Sequence, residues 1–112
     1  MADENARAGE VQNLSPDDVA RGLTEGRMLL VDVREPNEIA VECYPDAVIV
    51  PLSVFDPSEI PDPKGKQVVF ACRSGRRSAT ASLAAQDQGY PYKAHLAGGI
   101  IAWKAAGLPT KT

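Results

Sequence analysis

Gln67-Val68-Val69-Phe70-Ala71-Cys72-Arg73-Ser74-Gly75-Arg76-Arg77-Ser78 joins an apolar run to a polar turn, and the alanine-rich stretch from Ala79 to Gln88 behind it reads as a helix. Strand, turn and helix in that order put Cys72 at the end of a strand and the mouth of a helix. Helix N-termini carry unpaired backbone N–H groups and a partial positive charge, which favour an anion or a thiolate. Arg73, Arg76 and Arg77 add to that field, so the Cys72 thiol is expected to ionise more readily than an ordinary cysteine and to be a candidate nucleophile. A cysteine closing a buried strand is ordinarily a small hydrophobe. Two features weigh against that reading: three neighbouring guanidiniums repel unless an anion relieves them, and Gly75 lets the backbone turn tightly so that N–H groups converge on a bound atom. The nucleophile reading also requires the thiol to be within reach of solvent.

Outward from this stretch, strands and helices alternate. Ser15 as N-cap, Pro16 at the first helical position and Asp17 and Asp18 in the first turn open a helix; Val19, Ala20 and Leu23 form its apolar face and Gly26 ends it. Met28 to Val33 is an apolar run interrupted by Asp32, expected as a strand buried on both sides. A short acidic helix is expected from Pro36 to about Glu42, then a second buried run over Ala47 to Val50, stopped by Pro51, and a helical turn within Val54 to Ile60. In the helix after Cys72 the small residues Ala79, Ala81, Ser82, Ala84 and Ala85 permit close approach to a sheet, Leu83 is expected as the anchor, and Gly89 as the C′ residue. Tyr92 to Leu96 reads as the last strand and Gly98-Gly99 as a tight turn. The final helix spans Ile100 to Ala106, with Trp103 as a core anchor. This alternation predicts a parallel sheet covered on both faces.

At 112 residues, 44% hydrophobic and 24% charged, the chain has the material for one soluble domain. We expect it over residues 13–112, after a polar tail at residues 1–12 that has no apolar core and so is neither signal peptide nor membrane anchor. The net charge of −3 hides an asymmetry, because residues 1–62 hold 14 acids and 4 bases whereas residues 63–112 hold 1 acid and 8 bases. Those bases are not interleaved with aromatics and no recognition motif accompanies them, so a small anion at one site is expected in preference to nucleic acid. Cys43 and Cys72 make no disulfide framework, and no zinc spacing is present; reduced thiols in a reducing, cytoplasmic compartment are expected, with no metal or cofactor and no membrane span.

Three segments together carry a family resemblance: Val31-Asp32-Val33-Arg34-Glu35-Pro36-Asn37-Glu38, the Cys72-Arg73-Ser74-Gly75 loop with Arg77-Ser78, and Leu96-Ala97-Gly98-Gly99-Ile100-Ile101-Ala102-Trp103 with Ala106-Gly107-Leu108-Pro109. The chain resembles the single-domain rhodaneses, which are sulfurtransferases, over residues 15–109. The resemblance implies a small α/β domain with a mainly parallel five-stranded sheet and helices on both faces. It also implies a chemistry: Cys72 takes the outer sulfur of thiosulfate or another sulfane donor, releases sulfite, holds the sulfur as a persulfide, and passes it to cyanide or to a thiol, a thioredoxin-like protein among the candidate acceptors.

On that footing the backbone N–H groups from Arg73 through Ser78, Gly75 included, are expected to cradle the thiolate and then the persulfide's terminal sulfur. Arg73, Arg76 and Arg77 would hold the sulfonate oxygens of the donor, or stand as solvated surface charges. Ser74 and Ser78 would donate hydroxyl hydrogen bonds, and Ser78 serves equally as a helix cap. Loop length separates the nearest alternative chemistry: the related phosphatases place five residues between cysteine and arginine to wrap a tetrahedral phosphate, whereas here four lie between Cys72 and Arg77, and Ser78 holds the phosphatase arginine's position. Glu42-Cys43-Tyr44-Pro45-Asp46-Ala47 departs from the family's usual Gly-His-Ile-Pro-Gly-Ala, with Cys43 in place of a histidine and Asp46 in place of a glycine. Asp32 and Arg34 are read as structural, pairing within the sheet and its neighbouring loop, and His95 as packed or on the surface rather than a general base. A reading from a different class is a sulfur-carrier or partner-docking module without significant turnover of its own.

Overall fold

The structure, a computed structural model, describes residues 10–112. Five strands, β1 (Gln12–Leu14), β2 (Met28–Asp32), β3 (Val48–Ile49), β4 (Gln67–Ala71) and β5 (Ala94–Leu96), form one sheet in the order β1-β5-β4-β2-β3. Every adjacent pair is parallel. Three helices connect strands, α1 (Pro16–Thr24), α2 (Pro36–Val41) and α3 (Arg76–Asp87), a fourth, α4 (Gly99–Ala105), follows β5, and 3₁₀ turns at Leu52–Val54 and Pro57–Glu59 lie between β3 and β4. Parallel pairing requires crossovers, and the helices supply most of them, so the sheet is covered on both faces as the alternation predicts.

Alternate residues of the central strands divide into two cores. Leu30 of β2, Val69 and Ala71 of β4 and Leu96 of β5 pack with Val19 of α1 and Ile100 and Trp103 of α4. Val31, Val68, Phe70 and Cys72 face the other way, against Ala81 and Ala85 of α3. Cys72 thus continues the alternation of β4 on its α3 side, immediately beyond the strand's C-terminal end, which is where parallel α/β sheets place their ligands.

Most elements lie where the sequence puts them. Ser15 caps α1 by accepting from the Asp18 N–H, and Pro16 is its first residue. Trp103 is buried, edge-on to the Tyr44 ring, and donates from its indole N–H to the Pro109 carbonyl. The structure corrects five expectations. The run over Ala47 to Val50, expected to be buried, forms the edge strand β3 with Ile49 exposed, and β5 begins at Ala94 rather than at Tyr92. The edge strand β1 was not expected, because Gln12-Asn13-Leu14 shows neither alternation nor an apolar run; Gln12, expected in the tail, pairs with Ala94. The rest of that tail, apart from Glu10 and Val11, lies outside the described residues. Helix α3 begins at Arg76, three residues earlier than expected, with Gly75 as its N-cap. Leu83 is not the anchor of α3: it is 38% exposed, and the buried positions are Ser78, Ala81, Ser82 and Ala85. Those four lie at helical spacing on one side, and their small side chains let the α3 backbone sit close to β4 and β5, which leaves the leucine outside.

Candidate active site

The loop from Cys72 to Gly75 is fixed from behind before its chemistry begins. The Cys72 carbonyl accepts from the Tyr44 hydroxyl at 2.6 Å and from the Ile100 N–H at 2.9 Å, and the Arg73 carbonyl accepts from the Ile101 N–H at 3.2 Å. The first turn of α4 therefore lies directly against the Cys72–Arg73 peptide. Gly99 makes the approach feasible: a Cβ there would stand 2.3 Å from the Arg73 carbonyl carbon and oxygen and 2.6 Å from the Cys72 oxygen, and its φ of +61° is itself disfavoured for other residues. Tyr44 is held in turn by the buried pair of Asp32 and Arg34. Arg34 bonds both Asp32 carboxylate oxygens at 2.9–3.2 Å, donates to the Glu42 carbonyl at 3.0 Å, and stacks its guanidinium 5.5 Å from the Tyr44 ring centre. The role expected for Asp32 and Arg34, pairing within the sheet and the adjoining loop, is what their contacts provide.

With the chain so pinned, Gly75 turns at φ +102°, and its N–H comes to 3.0 Å from the Cys72 sulfur. The Ser78 N–H lies 3.3 Å from it and the Ser78 hydroxyl 3.5 Å. These donors govern the thiol's acidity. Burial opposes ionisation, but hydrogen bonds from the Ser78 hydroxyl and from the Ser78, Gly75 and Ser74 amides outweigh it, so the pKa of Cys72 falls below its ordinary value. The expected cradle of N–H groups is thus formed by part of the loop, at its Gly75 and Ser78 ends.

One requirement is not met in this conformation. Cys72 is 0% exposed, whereas a thiol attacking a solute has to be reachable. A solute can therefore reach the sulfur only if the loop or its side chains move.

The three arginines differ. Arg77 is committed to Glu38 of α2 in a two-pronged pair at 2.6 and 2.8 Å, which holds the Glu38 carboxyl at about 2 against the opposing effect of burial. Arg73 and Arg76 are exposed, and among the described residues neither has an ion-pair partner. Ser74 is exposed as well. Beside Arg73 opens a cleft of about 550 Å³, walled by Asn37 and Val41 of α2 and by Ile101 and Lys104 of α4. The exposed guanidiniums of Arg73 and Arg76 can hold a divalent oxyanion at the outer side of the loop, but the hydrogen bonds to the sulfur, rather than these arginines, lower the Cys72 pKa.

Several contributors were not singled out by sequence reasoning. Glu38 pairs with Arg77, which lies 39 residues away, and no local spacing joins the two. Tyr44 occurs where the family pattern has an aliphatic residue, and that departure is the one sequence signal of its hydroxyl's bond to the Cys72 carbonyl. His95 is buried, as expected of a packed residue, yet its Nδ1 lies 2.8 Å from the Ser78 hydroxyl and its Nε2 2.7 Å from Asn13 Oδ1. Cys43 forms an isolated antiparallel bridge with Lys111, near the chain's other end, and is a free thiol. Among the described residues no group of three His, Cys, Asp or Glu side chains could hold a metal ion, and no helix is long and apolar enough to cross a membrane.

Comparison with known proteins adds to this geometry. The Rhodanese-like domain family matches residues 15–106. An uncharacterised protein of Synechocystis sp. is 46% identical over 83 residues, which are 74% of this chain and 46% of that protein, so the chain spans about half of that relative's length. A sulfurtransferase of Allochromatium vinosum is 45% identical over 82 residues, 73% of this chain and 77% of the relative. Among solved structures, a protein of unknown function from Rhodopseudomonas palustris, described as a possible tyrosine phosphatase, superposes with a TM-score of 0.76 at 32% identity, covering 90% of this chain and 85% of that one.

Proposed function

Since the chain belongs to the rhodanese-like domain family, we propose that it is a sulfurtransferase that carries a sulfane sulfur on Cys72, taking it from thiosulfate or a similar small anion and giving it to cyanide or a thiol. The observation that carries this reading is the convergence of the Gly75 and Ser78 N–H groups on the Cys72 sulfur at 3.0 and 3.3 Å.

In the first half-reaction the Cys72 thiolate attacks the outer sulfur of thiosulfate. A bond forms between the two sulfurs, the bond to the sulfonate sulfur breaks, and its electron pair leaves on sulfite. In the second, cyanide or a thiolate attacks the outer sulfur of the persulfide; the Cys72–sulfur bond breaks and returns the thiolate, with thiocyanate or a new persulfide as product. The loop amides offer the same stabilisation to the thiolate and to the negatively charged persulfide, so neither half-reaction needs a cofactor. Arg73 and Arg76 are free to bind the sulfonate oxygens, whereas Arg77 reaches them only by giving up Glu38. Access requires the loop to open, and the cleft beside Arg73 is the side from which a donor or an acceptor thiol would arrive.

Phosphate chemistry fits less well. Four residues separate Cys72 from Arg77 where a phosphate-wrapping loop has five, and the Arg77 guanidinium faces Glu38 rather than the turn. The closed thiol does favour a second reading, in which the domain is a carrier whose loop opens only against a protein partner.

Incubation with thiosulfate followed by intact-mass measurement on a Cys43→Ser background tests both. Gain of one sulfur atom, its loss on adding cyanide, and no gain after Cys72→Ser are expected of the enzyme. A gain only from a persulfidated protein donor points to the carrier, and no gain from any sulfane donor overturns both readings.

A further inference from the structure

His95 and Asn13 have no part in the roles described above, yet they are joined to the candidate nucleophile by an unbroken series of hydrogen bonds. Cys72 Sγ lies 3.5 Å from Ser78 Oγ, Ser78 Oγ lies 2.8 Å from His95 Nδ1, and His95 Nε2 lies 2.7 Å from Asn13 Oδ1. Cys72 follows β4, Ser78 is in the first turn of α3, His95 is the middle residue of β5, and Asn13 is the middle residue of β1. Four segments thus contribute one group each to a single line that runs from the buried sulfur to the exposed Asn13 at the sheet edge. Cys72, Ser78 and His95 are all buried.

The donors and acceptors along this line are determined by its far end. Asn13 Oδ1 can only accept, so His95 Nε2 carries a hydrogen and donates it. In the neutral ring Nδ1 is then a lone-pair acceptor facing the Ser78 hydroxyl at 2.8 Å, a shorter contact than the 3.2 Å between that hydroxyl and its other acceptor, the Gly75 carbonyl. With its proton directed to His95, Ser78 Oγ accepts from the Cys72 S–H. Every hydrogen in the line therefore points from the sulfur toward the imidazole, the arrangement in which a proton can be handed along.

We propose that His95 is a positioning residue that holds the proton of Cys72, received through the Ser78 hydroxyl. In the transfer the S–H bond breaks as a new Ser78 O–H bond forms, and the original Ser78 O–H bond breaks as His95 Nδ1–H forms. The serine is left neutral, the cysteine becomes a thiolate and the histidine an imidazolium, whose Nε2–H stays on Asn13. In the product state Nδ1–H donates to Ser78 Oγ, and the serine proton is released to donate to the thiolate, adding a hydroxyl to the two amides already there. The ionised nucleophile and its counter-charge are then both internal and stand one hydroxyl apart.

The surroundings suit this role. Burial lowers the pKa of His95. The neutral, proton-accepting ring is thus its resting form. The groups facing it are Ser78 from α3, Asn13 from β1 and the Gly75 backbone, whose Cα, were it to bear a Cβ, would bring that atom 3.6 Å from His95 Cε1. Besides the Ser78, Gly75 and Ser74 donors, Tyr44 and Arg77 interact electrostatically with Cys72.

What the coupling means for turnover rests on the proposed sulfur carriage by Cys72, but the coupling can be measured without any sulfur donor. His95 is the only histidine of the chain, so its imidazole resonances are read by NMR without assignment. Replacing Cys72 by Ser removes the negative charge and is expected to lower the His95 pKa by roughly one pH unit, the scale on which directly coupled sites interact. In a Ser78→Ala background the same Cys72→Ser change is expected to leave His95 unmoved, while Ser78→Thr, which keeps the hydroxyl, is expected to restore the shift. Independently, the pH midpoint of Cys72 alkylation is expected to rise by roughly one unit in His95→Asn and in Ser78→Ala. An unchanged His95 pKa after Cys72→Ser, or an unchanged alkylation midpoint after His95→Asn, overturns the inference whether or not the protein transfers sulfur.

Discussion

Replacing Gly99 by Ala tests how firmly α4 locates the Cys72 loop. The new methyl would lie 2.3 Å from the Arg73 carbonyl carbon and oxygen and 2.6 Å from the Cys72 oxygen, and these are backbone atoms that cannot rotate away. Two costs add. A φ of +61° in a residue with a Cβ costs about 1 kcal/mol, and forcing a methyl into packed backbone costs about 1–3 kcal/mol more. Gly107 separates them, since its φ is +78° but nothing lies within 4 Å of its prospective Cβ. Gly107→Ala is therefore expected to lower stability by about 1 kcal/mol, and Gly99→Ala by about 2–4 kcal/mol, with urea unfolding as the assay and an unchanged m-value as the check that the unfolded state is the same. Because relief of the clash must displace the Cys72–Arg73 peptide from the Ile100 and Ile101 amides, Gly99→Ala should also slow sulfur uptake, which Gly107→Ala should not. Equal destabilisation by the two substitutions would refute the claim that close contact, rather than φ alone, demands glycine at 99.

Other residues give smaller, signed effects. The Glu38 carboxyl, held at about 2 by its bonds to Arg77, contributes stability that is complete above its ordinary value of 4.5 and is lost as pH falls from there toward 2. With both side chains partly solvated the contribution is about 1 kcal/mol, and acid titration of unfolding stability should show that loss in the native protein but not in Glu38→Gln. Asp46, at φ +58° where the family pattern has glycine, is expected to be replaceable by Gly with a gain of up to about 1 kcal/mol. Its contact with Lys111, at 3.9 Å and largely exposed, offers little to lose. A calorimetric Tm several degrees above that of the native protein would confirm this, and a fall would show that the Asp46 side chain contributes something its contacts do not reveal.

The sequence made the sheet legible through β2 and β4, whose apolar runs are long enough to exclude other readings, and α1 through the Ser15-Pro16-Asp17-Asp18 start. Strand β1 was not legible. Its three residues carry no period, and it exists because β5 offers an edge with backbone groups to pair. Leu83 misled for a related reason: size suggests an anchor, but the register of α3, fixed at Gly75, turns the small residues inward. At the site, the loop itself was legible because strand end, glycine and helix start are adjacent in the chain. Its long-range partners were not, since Glu38 to Arg77 and Asn13 to His95 are juxtaposed only by the fold. The burial of the thiol is likewise set by the fold, which residue types alone do not determine.

The proposed chemistry requires Cys72 to be more acidic than an ordinary cysteine and to be exposed by local opening of its loop. Its most direct test is the rate of iodoacetamide alkylation of Cys72 as a function of pH, followed by mass spectrometry in a Cys43→Ser background under native conditions. A midpoint below the roughly 8.5 of a free cysteine is expected, with labelling that proceeds without global unfolding. A midpoint at or above that value, or labelling that appears only once the protein unfolds, would contradict it.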